Sequence, residues 1–183
     1  ADLGREDLAA LERGLPNLLQ HVDNIKNVFG LPCVVAVNAF PTDTAAELQL
    51  VEDKCRELGV RVALSEVWAK GGEGGRALAE EVVRLCGQPS DFRYSYDLDG
   101  SIEDKLEAIC RRVYRADGVA LTPAAKKQAQ RLTELGFGGL PICMAKTQYS
   151  FSDDPALLGA PRGFTVTVRN LKVSAGACFL VAL

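Results

Sequence analysis

Apolar residues at Leu8, Leu11, Leu15, Leu18, Leu19, Val22, Ile25 and Phe29 recur at helical spacing. Gly14-Leu15-Pro16 falls inside that pattern, so it predicts two helices joined at a kink and ended by Gly30-Leu31-Pro32. Cys33-Val34-Val35-Ala36-Val37 is a continuous apolar, largely β-branched run, which suits a strand of a parallel sheet buried on both faces. Asn38 to Asp43 reads as loop. Thr44-Ala45-Ala46-Glu47 is a capping box that opens a helix to about Leu58, with Gly59 as its stop. Val60 to Leu64 is the next strand. Ser65 to Gly75 reads as a loop, and Arg76 to Cys86 as a helix closed by Gly87 and Pro89. Strand, helix, strand, loop and helix over residues 33–86 make a parallel βαβα unit of the α/β class with a right-handed crossover.

The pattern then changes. Tyr94-Ser95-Tyr96 predicts a short strand. Ser101 to Tyr114 predicts a helix with Leu106, Ile109, Cys110 and Val113 on one face. Asp117-Gly118 predicts a turn. Thr122-Pro123 is an N-cap and first-turn pair for a helix to Leu135. Leu140 to Ala145 predicts a strand, 146–161 a polar loop and Phe164 to Arg169 a half-buried strand of period two, and the stretch Val173 to Leu183 contains a further strand. This is an α+β unit, smaller than the first, with a mixed or antiparallel sheet. The chain divides on this reading into residues 1–88 and 89–183. It starts at Ala1 without Met and stops at Leu183 inside an apolar run, so both ends read as cuts in a longer protein.

Composition narrows the function classes. With 48% hydrophobic and 25% charged residues, the 183-residue chain is not disordered as a whole. A net charge of −3 gives no basic footprint for nucleic acid. No apolar run approaches the ~18 residues of a membrane-spanning helix. The six cysteines, Cys33, Cys55, Cys86, Cys110, Cys143 and Cys178, include no CxxC pair, so they read as buried free thiols of a reducing cytosol rather than metal or redox motifs. One histidine, His21, cannot build a multi-His metal site and reads as part of a solvated helix face.

Four features invite chemistry. The chain has neither GxxxxGK[ST] nor a GxGxxG after a strand, hence no phosphate loop of its own. Gly71-Gly72-Glu73-Gly74-Gly75 precedes a helix, where Gly71 and Gly72 amides could hold an anion, or the glycines could simply make a tight surface turn. Phe40 and Trp68 each lie just past the carboxyl end of a strand, the edge at which open α/β sheets bind ligands. Two rings there could sandwich a flat heterocycle, or could merely cover the ends of the core. Pro41 stiffens the turn carrying Phe40. Asn38 ends a strand as in guanine-reading NKxD loops, but the Asp is missing; Asp153-Asp154 reads as a solvated turn and not a catalytic pair.

The stretch Val35-Ala36-Val37-Asn38-Ala39-Phe40-Pro41-Thr42-Asp43-Thr44 resembles the formate–tetrahydrofolate ligase family. So do Trp68-Ala69-Lys70-Gly71-Gly72-Glu73-Gly74-Gly75, Tyr96-Asp97-Leu98, Gly136-Phe137-Gly138, Leu140 to Ser150 and Val173-Ser174-Ala175-Gly176-Ala177, in family order over nearly the whole chain. The resemblance implies a cytoplasmic, usually homotetrameric enzyme that joins formate to tetrahydrofolate with ATP. The products are 10-formyltetrahydrofolate, ADP and phosphate, formed through formyl phosphate. It also implies Mg²⁺ and a monovalent cation. The first unit would then be the end of a P-loop NTPase-like domain. The family's phosphate loop and the arginine proposed to hold formyl phosphate lie in an N-terminal part missing here, so no catalytic residue and no metal ligand carries over. What carries over is a ring-binding wall of Phe40 and Trp68, with Pro41 and Leu64 beside them. The Lys146–Ser150 segment matches without an assigned role. Two positions depart from the family: Cys178 stands where Gly is usual, and Arg115 where Gly often follows the tyrosine. Competing readings are a non-catalytic truncated paralogue serving as a ligand-binding or assembly module, and a different ATP-dependent α/β ligase.

Overall fold

The computed structural model describes residues 4–145 and 147–183. It is a mixed α/β protein whose contacts divide into one unit ending at Arg93 and another running from Tyr94 to Leu183. The two are nearly equal in length, rather than a larger and a smaller one. Residues 88–93 go with the first unit because the Asp91 amide donates to Gly30 O (3.0 Å) and the Arg93 amide to Phe29 O (3.1 Å). Among the described residues no helix is long and apolar enough to cross a membrane.

The first unit opens with α1 (Leu8–Asp23), which continues into a π-helical turn over Asn24–Val28. The expected break at Gly14-Leu15-Pro16 is absent: Pro16 lies inside one uninterrupted helix. The N-cap Asp7 secures its start by accepting from the Ala10 amide at 2.8 Å, and Leu15 and Val22 are buried on its inner face. Strand β1 (Val34–Asn38) leads into α2 (Ala45–Glu57), whose Thr44–Glu47 capping box forms as the spacing predicts. Gly59 takes φ +66° in the turn to β2 (Arg61–Ser65), a left-handed conformation that glycine adopts without strain.

β1 and β2 pair in parallel from Val34↔Arg61 to Asn38↔Ser65, forming a two-stranded sheet. Cys33, Val35, Val60 and Val62 fall on one face by alternation and pack with Leu18, Val22, Val51 and Cys55 of α1 and α2. Val34 faces the other way, toward Val82 and Leu85 of α4 (Arg76–Cys86). The strands are only half-buried, not enclosed on both faces as the apolar run suggested; two strands leave too much edge and face uncovered. Arg61 ties β2 to α4 through Glu81 (2.8 Å), which Arg84 also holds (2.6 Å).

Between β2 and α4 the expected loop is ordered as α3 (Val67–Lys70) followed by a 3₁₀ turn over Gly71–Gly75. Two contacts hold it closed: the Glu66 amide donates to Gly74 O (3.0 Å), and the Lys70 amide to Glu66 O (2.9 Å).

The second unit contains α5 (Ile102–Arg112), β3 (Gly118–Leu121), α6 (Pro123–Glu134), β4 (Ile142–Met144), β5 (Thr165–Val168), β6 (Leu171–Ser174) and β7 (Phe179–Ala182). β3 pairs with β5 in parallel, while β7 lies between β4, parallel, and β6, antiparallel. Ile102, Leu106 and Ile109 of α5 meet Ala125, Ala129 and Leu132 of α6 and Ile142, Val168 and Leu180 of the strands in one buried cluster. β3 occupies ground expected to be turn: three apolar residues before Thr122 are too few to show a period. The strand expected within 173–183 is β7, and β6 precedes it in a hairpin, because a 3₁₀ turn at Ala175–Ala177 and a left-handed Cys178 reverse the chain. Tyr94–Tyr96 forms no strand. Its Tyr96 hydroxyl accepts from the Ile142 amide at 2.9 Å, taking the place of a neighbouring strand along β4.

Arg115 and Cys178 share a conformation. Arg115 has φ +60° and Cys178 φ +58°, the region that side chains other than glycine enter at a cost of about 1–2 kcal/mol.

Candidate functional site

The parallel register brings the carboxyl ends of β1 and β2 level, at Asn38 and Ser65. The Ala39 amide extends the ladder by donating to Ser65 O (3.0 Å). Phe40 follows two residues beyond β1, and Trp68 three residues beyond β2, in the first turn of α3. Both rings are therefore carried on adjacent loops at one sheet edge. Neither is in the core: Phe40 is 55% exposed and Trp68 61%. Exposure of two large rings on these adjacent loops leaves apolar area free to meet a ligand.

Hydrogen bonds fix both loops. The Trp68 indole Nε1 donates to Ala39 O at 3.1 Å, joining α3 to the residue preceding Phe40. With that N–H committed, the indole offers a partner its π face. Asp43 closes the Phe40 turn twice: its Oδ2 accepts from the Phe40 amide (2.8 Å), and its own amide donates to Phe40 O (3.0 Å). Pro41 is exposed between them. Leu64 pairs with Val37 in register and shares the strand face of Val60 and Val62, but lies beyond the helices' cover and is 43% exposed. Phe40, Pro41, Leu64 and Trp68 are thus all exposed residues on or just beyond the carboxyl ends of the same two strands.

The glycines differ among themselves. Gly71 takes φ +59° and ψ −145°, a conformation open to glycine. Gly72 has open space around it. Gly74 is closest to the chain: a Cβ there would overlap the Glu66 carbonyl and lie 2.9 Å from the Val67 amide nitrogen. Glu73 stands in this turn with Arg76 paired to it, so a carboxylate already meets the positive end of α4. Sequence reading passed over Asp43, Gly74 and the Ala39 carbonyl. Asp43, three residues after Phe40, was visible as a turn former, whereas a backbone carbonyl leaves no signal in side-chain chemistry.

The other titratable groups lie elsewhere. Burial lowers His21 on α1 below the usual imidazole value. All six cysteines are free thiols; Cys55 and Cys110 are buried, while Cys86, Cys143 and Cys178 are exposed, against the expectation of burial. Burial pushes the Cys110 thiol up to about 12, so it is protonated and inert at neutral pH. Among the described residues no group of three or more His, Cys, Asp or Glu could hold a metal ion. Of the 146–150 segment, Lys146 lies outside the described residues. Thr147, Gln148 and Ser150 line a cavity of about 270 Å³ in the second unit with Tyr114, Phe151 and Phe164.

A family model described as formate–tetrahydrofolate ligase matches residues 1–183, the whole chain.

Proposed function

The chain belongs to the formate–tetrahydrofolate ligase family, and on that premise we propose that its first unit supplies the wall on which a planar substrate ring stacks. The family is one of ligases in one-carbon metabolism that use ATP and tetrahydrofolate, which sets the substrate class. The observation that carries the reading is the placement of exposed Phe40 and Trp68 on adjacent loops at one sheet edge, joined through the Ala39 carbonyl. A pterin or purine ring entering there gains contact with both faces of a slot, with Pro41 and Leu64 as its apolar surround. Gly71 and Gly72 shape the loop that carries the indole. Stacked aromatic pairs add ~0.5–1.5 kcal/mol beyond the area they bury.

The remaining chemistry belongs to another part of the enzyme. Transfer from ATP through formyl phosphate needs a phosphate cradle and Mg²⁺, and a monovalent cation assists it. The sequence has no phosphate loop, and the described residues offer no cluster of metal ligands. In this reading those groups come from elsewhere in the enzyme, and the chain's own residues carry none of the phosphoryl transfer. In the proposed arrangement the chain is the later part of a cytoplasmic homotetramer, and its first unit completes a P-loop NTPase-like domain. What this chain does in that arrangement is bind and orient: the rings hold the heterocycle flat and exclude water from its faces.

The test is turnover. The purified chain incubated with ATP, formate, tetrahydrofolate and Mg²⁺ makes no 10-formyltetrahydrofolate. Product formed by the chain alone would refute the division of labour.

A further inference from the structure

We infer that Asp43 and Gly74, neither of which need touch a ligand, are positioning residues that set the geometry of the Phe40–Trp68 slot. The inference rests on the ring-stacking reading above and assigns residues that maintain it.

Each ring sits on a loop with a separate internal fastening. The Phe40 turn is closed by Asp43, whose carboxylate accepts the Phe40 amide at 2.8 Å. Without that acceptor, the turn keeps the Asp43 amide's bond to Phe40 O at 3.0 Å. The Trp68 loop is closed at its far end by Gly74, whose carbonyl accepts the Glu66 amide at 3.0 Å. The backbone approach there is so close that a Cβ on residue 74 would collide with the Glu66 carbonyl and crowd the Val67 nitrogen. Glu66 and Val67 immediately precede Trp68, so a methyl at 74 displaces the segment that aims the indole.

The two fastenings are coupled. Ala39 O, which accepts the indole N–H at 3.1 Å, is one residue before Phe40. A turn loosened at Asp43 therefore frees the acceptor of the Trp68 bond, and a loop displaced at Gly74 moves the donor. Both changes reach the indole, and through it the opposite wall. Gly74 is thus distinguished from Gly72, which is surrounded by open space.

Trp68, the one tryptophan, reports directly. Steady-state anisotropy of the ligand-free chain is compared for wild type, Asp43→Ala, Asp43→Asn, Gly74→Ala and Gly72→Ala, and the affinity of each for tetrahydrofolate is measured by equilibrium dialysis. Asp43→Ala and Gly74→Ala lower the anisotropy and weaken tetrahydrofolate by about fivefold, the effect of one lost hydrogen bond. Asp43→Asn restores both, since its amide oxygen accepts the same bond, and Gly72→Ala matches wild type. Anisotropy and affinity unchanged in Asp43→Ala overturn the inference, as does Asp43→Asn behaving like Asp43→Ala. Asp43 is exposed, so its variants decide the matter even if Gly74→Ala fails to fold. Anisotropy that shifts as stated in a chain that binds no tetrahydrofolate upholds the positioning role and removes the stacking reading instead.

Discussion

The indole of Trp68 hydrogen-bonds to the carbonyl of Ala39, 29 positions earlier in the chain, and so joins two loops at the end of a two-stranded parallel sheet. The bond works only because β1 and β2 run in parallel and end level, at Asn38 and Ser65. An antiparallel pair of the same length would put the two loops at opposite ends. The sheet's topology is thus the origin of the candidate site.

Glu81 makes the first unit sensitive to acid. Its carboxyl is drawn down to about 2, chiefly by hydrogen bonds from Arg84 and then by the one from Arg61, against the opposing effect of burial. In the unfolded chain a glutamate titrates near ~4.3. The contribution is therefore complete above ~4.3 and is lost as pH falls from there through about 2, because the unfolded chain takes up the proton first. Urea midpoints followed by circular dichroism at pH 7, 4 and 2.5 should fall for wild type and fall less for Glu81→Gln. Parallel losses in the two would show that Glu81 is not the group responsible.

Lys105 is a buried cation on the inner face of α5, donating to Gly138 O at 2.8 Å and Leu140 O at 3.2 Å. Replacing it with methionine keeps the unbranched apolar stem, one atom shorter, and removes both bonds, leaving two carbonyls without their donor. Hydrogen bonds to charged groups are worth ~1.5–3 kcal/mol, so Lys105→Met should lower unfolding stability by about that much. A urea midpoint equal to wild type would mean that the burial cost of the ammonium cancels its bonds.

Cys178 sits in a left-handed turn between β6 and β7 at φ +58°. Glycine adopts this conformation without its side-chain strain, at some cost in unfolded-chain entropy. Cys178→Gly should therefore raise stability by up to about 1 kcal/mol. A loss measured by thermal unfolding would show that the thiol's contact with Ala175 O outweighs the strain.

The parts of the fold legible in the sequence were those with a local cause. The capping box at Thr44–Glu47, the Thr122-Pro123 start and the β-branched run at Val34–Val37 each carry their signal within a few residues. Pro16 misled because a proline leaves a helix short of one hydrogen bond without ending it when flanking residues are buried, as Leu15 and Val22 are here. β3 was hidden because its partner, β5, is distant in sequence and its apolar run is short. In the candidate site, Phe40 and Trp68 stood out as aromatics following strands. The Ala39 acceptor, the Asp43 clasp and the close approach at Gly74 did not, because they depend on backbone atoms that come together only when the two strands pair.

The most direct measurement is titration of tetrahydrofolate into the purified chain, following Trp68 fluorescence, for wild type and Phe40→Ala. A ring seated between the two side chains quenches the indole saturably, and loss of the phenyl wall weakens the affinity by about tenfold. Quenching that does not saturate, or an affinity that Phe40→Ala leaves unchanged, would contradict a shared slot.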